Sequence, residues 1–173
     1  GFFGWLSQQS ADVVCIQEIK AKEVQLTDSV FYPEGYHCFY NEAERPGYSG
    51  TAIFAKEKPQ RVVSRLDWEI VDSEGRYLQV DFPGLSVISL YVPSGSASEK
   101  AQARKDGFMG PFYEHLAALR RKRPRDGVPC LEQQGPAGTP RGTLRGADGA
   151  ASDSQNGRIR ADPLVLLSSV RAS

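Results

Sequence analysis

The sequence has no excess charge of either sign. Its 21 Lys and Arg stand against 21 Asp and Glu, so a function resting on a strongly basic or acidic surface is excluded and net charge names no partner. No run approaches the roughly 20 apolar residues that cross a bilayer. The opening GFFGWLSQQS has neither the charged first region nor the long apolar stretch of a secretory signal. A soluble, cytoplasmic chain without a membrane partner is the expectation. Cysteine is scarce: Cys15, Cys38 and Cys130 are an odd number at spacings that suit neither a zinc site nor a small disulfide framework, so they read as free thiols. The two histidines, His37 and His115, lie outside any HExxH or paired-ligand spacing, which leaves zinc chemistry without support.

A second scarcity divides the chain. All aromatic residues and all lysines precede Pro124, whereas Pro124 to Ser173 is rich in Pro, Gly and Arg without a period of 2 or 3.6. Such a segment buries too little apolar surface to offset its ordering entropy. The division expected is therefore 1–123 as a partial domain and 124–173 as a low-complexity tail, disordered or out of frame. Within the tail only DPLVLLSSV has the composition to dock as a short strand or helical turn. A basic complement made only of Arg beside Ala, Gly and Pro is what GC-rich codons give when read out of frame, and a frame change near Arg123 is the favoured origin.

What is present is 40% hydrophobic, enough for a packed core in one ordinary domain or a piece of a larger one. Gly1 to Gln9 suits the end of a helix. Ala11 to Ile16 is a continuous apolar run with β-branched residues, the mark of a strand covered on both faces. A short helix at Thr27 to Phe31 and a strand at Tyr36 to Tyr40 follow, then the turn cluster ERPGYSG. Thr51 to Ala55, Arg61 to Leu66, Arg76 to Phe82 and Leu85 to Val92 read as a meander of antiparallel strands, the last two joined by a hairpin at Pro83-Gly84. From Ser98 to Arg123 the period changes: Ala101, Phe108, Phe112, Leu116 and Leu119 form one apolar helix stripe. Gly107, Gly110 and Pro111 make two shorter helices as acceptable as one. The basic end LRRKR is either the solvated last turn of that helix or a nucleic-acid contact.

Three features bear on chemistry. Glu18 closes the strand ADVVCIQE, with Lys20 and Lys22 just beyond; a carboxylate fixed at a strand end suits magnesium, which takes oxygen ligands and keeps several waters, though an ordinary salt-bridged glutamate fits the same residues. Tyr91 in SLYVPSG either donates to a phosphate oxygen or caps the sheet edge as an aromatic. GYSG offers backbone amides and the Ser49 hydroxyl, and Arg76 in SEGRYLQVDF offers a fork of donors for a phosphate.

Taken in order, the segments ADVVCIQEIKAKEVQL, GYHCFYNEAERPGYSGTAIFAKEKPQRV, EGRYLQVDF and LSVISLYVPSGS resemble the exonuclease III family of apurinic/apyrimidinic endonucleases, within the wider endonuclease/exonuclease/phosphatase superfamily. The resemblance implies an α/β fold, here a partial four-layer α/β sandwich of mostly antiparallel sheets with outer helices, followed by the tail. It implies Mg²⁺-dependent hydrolysis, with Mn²⁺ as a substitute, of double-stranded DNA at abasic sites or 3′ ends by a monomeric parent enzyme. Carried over residue by residue, Glu18 matches the metal-binding glutamate and Tyr91 the catalytic tyrosine that bonds the scissile phosphate. Lys20, Tyr48, Ser49 and Arg76 match positions at the DNA backbone.

The family pattern also has a TWNxNG-like opening block, a GDxN strand after the helix and a late Asp-His pair, none of which occurs here. Asp126 and Asp148 lack the preceding apolar strand and the following asparagine, so neither matches the catalytic aspartate. The expectation is an N-terminal part of such a nuclease, inactive alone, with much of its second sheet missing and an apolar face open to water. A superfamily phosphoesterase acting on lipid, nucleotide or RNA, or a non-catalytic DNA-binding or decayed product, are the alternatives. Sequencing the gene around the Arg123 codon tests the frame change: another frame is expected to encode a block close to GDWN, and an uninterrupted continuation without one would contradict it.

Overall fold

Short runs of β-branched and aromatic residues, each broken by Gly, Pro or Ser, have one way to shed their apolar faces: they pair as strands and stack. The computed structural model describes residues 1–95, 97–122 and 164–169, and of the last six only the backbone. Two sheets form. In the first, β1 (Val13–Gln17) and β2 (His37–Asn41) flank β3 (Thr51–Ala55), both antiparallel to it. The second has the order β4 (Arg61–Val63), β5 (Tyr77–Phe82), β6 (Leu85–Tyr91) and β7 (Leu164–Ser169). Its first three strands are antiparallel neighbours, and β7 runs parallel to β6 with Ser169 opposite Tyr91.

Alternation sorts the side chains into layers. Ile53 and Ala55 of the first sheet meet Leu78, Val80, Phe82, Leu85 and Val87 of the second in the core between the sheets. On the outer face of the first sheet, Ala52 and Phe54 lie beneath helix α1 (Phe2–Leu6), whose Leu6 is buried. Ile88, Leu90, Tyr77 and Val71, the last on helix α2 (Glu69–Asp72), lie beneath helix α3 (Glu99–Lys122), which contributes Phe108 and Phe112. Helix, sheet, sheet and helix make the four-layer α/β sandwich expected.

Several expectations need correction. The strands do not form one meander, because the connection after β3 crosses to the other sheet. Nor is the second sheet largely missing: it has four strands, and its inner face is covered. β1 is covered on both faces as expected, with Val13 and Cys15 against the core between the sheets and Val14 and Ile16 against the layer of α1, but as an edge strand it is only half-buried, whereas β3 is buried throughout. α3 is a single helix despite Pro111. A proline inside a helix costs about 3 kcal/mol, but Phe108 and Phe112 bracket it, both fully buried, and burying each side chain contributes about 1.5–3 kcal/mol. Trp68 stacks on Phe108 at 4.8 Å between ring centroids and completes the anchor. DPLVLLSSV supplies β7; the rest of the expected tail, with Cys130, Asp126 and Asp148, lies outside the described residues. Among those described, no helix is long and apolar enough to cross a membrane.

The outer face of the second sheet also carries a buried polar row. Tyr77 donates its hydroxyl proton to Gln79, Gln79 Nε2 donates to Asp81 Oδ1 at 2.6 Å, and the Ser86 hydroxyl donates to the same oxygen. His115 of α3 lies with Nε2 3.1 Å from the Tyr77 oxygen. With the phenol proton directed at Gln79 Oε1, the contact is satisfied when His115 carries a proton on Nε2. Burial, and then the nearby Lys122 charge, lower its pKa below the ordinary 6.5. The folded state therefore takes up a proton less readily than the unfolded chain, so this contribution to stability is present above 6.5 and lost as pH falls below it. Urea unfolding between about pH 7.5 and pH 5.5 is expected to show a falling midpoint, and His115→Gln to flatten the fall. An unchanged slope in the variant would contradict the assignment.

Candidate functional site

Glu18 is the residue after β1 and Tyr91 is the last of β6, so they leave different sheets. They leave at the same edge. Gln17 Nε2 donates to Ser89 Oγ at 3.0 Å, and Ser89 Oγ donates to the Ile16 carbonyl at 3.1 Å, which ties the two strand ends across the sandwich. Asn41, opposite Thr51 in the first sheet, donates to the carbonyls of Ser64 and Tyr77 at 3.1 and 2.8 Å and makes a second tie.

The loops at this edge are held in costly conformations. Glu18, Lys20 and Ser49 have φ of +62°, +53° and +50°, left-handed values that L-residues with a Cβ rarely adopt. Each costs on the order of 1–3 kcal/mol and persists only where surrounding bonds over-determine it. Those bonds are present: the Gly50 carbonyl accepts from Glu18 N at 2.8 Å and Ile19 N at 3.3 Å, and the Ser49 carbonyl accepts from Lys20 N at 2.9 Å. Gly50 itself has φ +87°, and a Cβ there would lie 2.6 Å from Ile19 Cγ1. Gly50 N donates to Glu74 O at 3.3 Å and Thr51 Oγ1 to Gly75 O at 3.0 Å, so a third loop packs on the first two.

The Glu18 carboxylate is a quarter exposed and lies 3.1 Å from Lys20 Nζ, which is half exposed. Lys22 turns away to Glu42 Oε1 at 2.7 Å and the Ala43 carbonyl at 2.8 Å. The Lys22 hydrogen bond, with a second from Glu23 N–H, holds the Glu42 carboxyl below its usual range.

Arg76 and Ser49 are not surface donors. Arg76 is 2% exposed, with Nε on Glu74 Oε2 at 2.5 Å, Nη1 on the Tyr91 carbonyl at 2.8 Å and Nη2 on the Tyr48 hydroxyl at 3.0 Å. Its guanidinium carbon also lies 5.0 Å from the Tyr91 ring centroid and 5.8 Å from that of Tyr48. Ser49 is 1% exposed, and its hydroxyl oxygen is buried without a hydrogen-bond partner among the described residues. Contact of either side chain with a DNA backbone would require these positions to open. Tyr48, Tyr91, Lys20 and Glu18 retain partial exposure.

Sequence reasoning missed Gln17 and Asn41, which tie the sheets, and the pair Glu74 and Arg104, which meet from 30 residues apart. Only Glu74 carried a local signal, two residues before Arg76. Cys15 is no nucleophile: burial, partly offset by a hydrogen bond with Ser89, pushes its thiol up to about 12. Cys38 is likewise raised by burial, and both are free thiols.

Among the described residues no three His, Cys, Asp or Glu cluster as a metal cage. Magnesium does not require such a cage, being commonly held by one or two carboxylates with water and phosphate oxygens completing the shell. The Glu18 carboxylate, a quarter exposed on a loop whose backbone is tied to Gly50 and Ser49, fits that chemistry.

A family model described as the Endonuclease/Exonuclease/phosphatase family matches residues 1–162. Among curated proteins, an exodeoxyribonuclease of Bacillus subtilis (strain 168) is 37% identical over 93 residues, which cover 54% of this chain and 36% of that protein. DNA repair nuclease APEX1 of Danio rerio is 30% identical over 122 residues, or 69% of this chain and 39% of that protein. The chain thus spans less than two-fifths of the length of these relatives. An AP endonuclease from Archaeoglobus fulgidus superposes with a TM-score of 0.50 at 33% identity, over 59% of this chain and 39% of that one. The 3′-5′ exonuclease NExo from Neisseria meningitidis gives a TM-score of 0.60 at 20% identity over 69% and 46%, a likeness of fold alone.

Proposed function

Because this chain belongs to the endonuclease/exonuclease/phosphatase family, we propose that its loop edge is the cation- and phosphate-binding part of a DNA phosphodiesterase centre. Its substrate is double-stranded DNA at an abasic site or a 3′ end. The observation that carries this reading is the strained loop pair: Glu18, itself left-handed, is set with left-handed Lys20 and Ser49 at the edge where Tyr91 leaves the other sheet. Strain of this kind is retained where geometry matters more than stability.

Glu18 and water oxygens would hold magnesium, which when bound polarises a phosphate oxygen. Lys20, beside it and half exposed, offers its ammonium to the DNA backbone. The Tyr91 hydroxyl donates to the scissile phosphate, and Tyr48 contacts the strand nearby. Arg76 and Ser49 act from beneath, Arg76 through the two tyrosines and Ser49 through its carbonyl on Lys20 N–H. The described residues thus supply a carboxylate, two phenols and an ammonium. A positioned general base is worth roughly 10²- to 10⁴-fold in rate; with the Glu18 carboxylate committed to the cation, neither the tyrosines nor the Lys20 ammonium fills that role. This chain by itself is expected to bind damaged DNA and turn it over poorly.

The test is a binding titration of this chain with a duplex containing one abasic site. Affinity is expected to fall with salt, as phosphate contacts require, and to rise with Mg²⁺. Glu18→Gln should remove the Mg²⁺ effect. Tyr91→Phe, which deletes one hydrogen bond to a charged group, should cost about tenfold. Affinity indifferent to Mg²⁺ and to Glu18→Gln would overturn the proposal. Nicking that is lost on chelation would keep the nuclease assignment and overturn the poor turnover.

A further inference from the structure

Two guanidiniums converge on one carboxylate behind this edge. Glu74 presents Oε2 to Arg76 Nε at 2.5 Å and Oε1 to Arg104 Nη2, so one side chain bridges the start of β5 to α3. Arg76 is 3% exposed at its side chain and Glu74 20%, whereas Arg104 is 39% exposed. A buried guanidinium without a counter-charge is costly, and here two lie within reach of a single carboxylate. Removing it would leave like charges facing one another. The other arms of Arg76 hold the Tyr91 carbonyl and the Tyr48 hydroxyl, and its guanidinium carbon lies close to both ring centroids, at 5.0 Å from Tyr91 and 5.8 Å from Tyr48. Arg45 also lies over the Tyr48 ring, with its guanidinium carbon 5.4 Å from the centroid.

We propose that Glu74 is a positioning residue. By fixing the Arg76 fork while gripping Arg104, it sets Tyr48 and Tyr91 and makes their placement depend on the docking of α3. The carboxylate acts on the edge through the two arginines it holds, Arg76 on Tyr48 and Tyr91 and Arg104 on Tyr48. Its bearing on DNA rests on the phosphate-binding reading of that edge, but the setting of the tyrosine rings does not.

The experiment uses the full chain with ring-labelled tyrosine, comparing Glu74→Ala, the volume-conserving Glu74→Gln in case the first does not fold, and Leu85→Ala. Leu85 is buried in the core between the sheets, at the far end of β6 from Tyr91, so its truncation controls for general loss of stability. The tyrosine NMR signals of Tyr48 and Tyr91 are expected to move in both Glu74 variants and to stay in place in Leu85→Ala. Affinity for the abasic duplex should fall about tenfold with the Glu74 variants, a change of about 1.4 kcal/mol. Rescue is a further readout: adding Arg104→Gln should restore part of the affinity by relieving the facing charges. Tyrosine signals unmoved in a folded Glu74 variant would overturn the proposal. Signals that move while affinity holds would uphold the clamp and overturn the phosphate-binding reading of the edge.

Discussion

The Gly50 carbonyl accepts two backbone protons, from Glu18 at 2.8 Å and from Ile19 at 3.3 Å, and much of the molecule is arranged so that it can. The bond requires β1 to end at Gln17 and the next residue to turn left-handed, which aims Glu18 out of the strand direction. It requires glycine at 50, since a Cβ would meet Ile19. It also requires the loop before β3 to be held from below, which Gly50 N does through the Glu74 carbonyl at 3.3 Å. Each of these links crosses between segments far apart in sequence. The sandwich therefore serves as a jig: paired strands fix the heights of three loops, and the loops fix one carboxylate.

The energetics divide along the same line. The sheets draw their stability from apolar burial on three levels, beneath α1, between the sheets and beneath α3. The loop edge consumes some of it, in left-handed backbone and in a Ser49 hydroxyl without a partner among the described residues. A buried polar group without a partner costs about 1–3 kcal/mol. Stability gathered in the layers is thus set against strain at one rim, and the opposite rim shows no such concentration of left-handed residues among those described.

Strand by strand, the sequence is a good guide wherever local pattern decides. Thr51–Ala55 has the bounds its β-branched run suggests, and the hairpin at Pro83-Gly84 joins β5 to β6. It is a poor guide where partners decide. The run ADVVCI shows that both faces of β1 meet apolar matter, but nothing in it shows that one edge lacks a neighbour. The stretch between β3 and β4 has the composition of a hairpin loop, yet it carries the chain from one sheet to the other. Arg61 to Leu66 is shortened to Arg61–Val63 because Leu66 N turns to the Asp72 carboxylate at 2.8 Å. At the edge, Glu18 and Tyr91 are legible because each ends a recognisable strand. Ser49 and Arg76 carry residue types that suggest the surface, and only the fold reveals their burial. The Glu74–Arg104 pair is invisible in principle, since it exists only once α3 has docked.

What the edge is for can be read most directly with manganese in place of magnesium, because its unpaired electrons broaden the NMR signals of nearby amides. With Mn²⁺ added well below one equivalent, the amides of Glu18, Ile19, Lys20, Gly50 and Tyr91 should broaden first, and Glu18→Gln should abolish the pattern while leaving the rest of the spectrum in place. Broadening centred elsewhere, or the same pattern surviving in Glu18→Gln, would mean that the strained edge does not hold a cation.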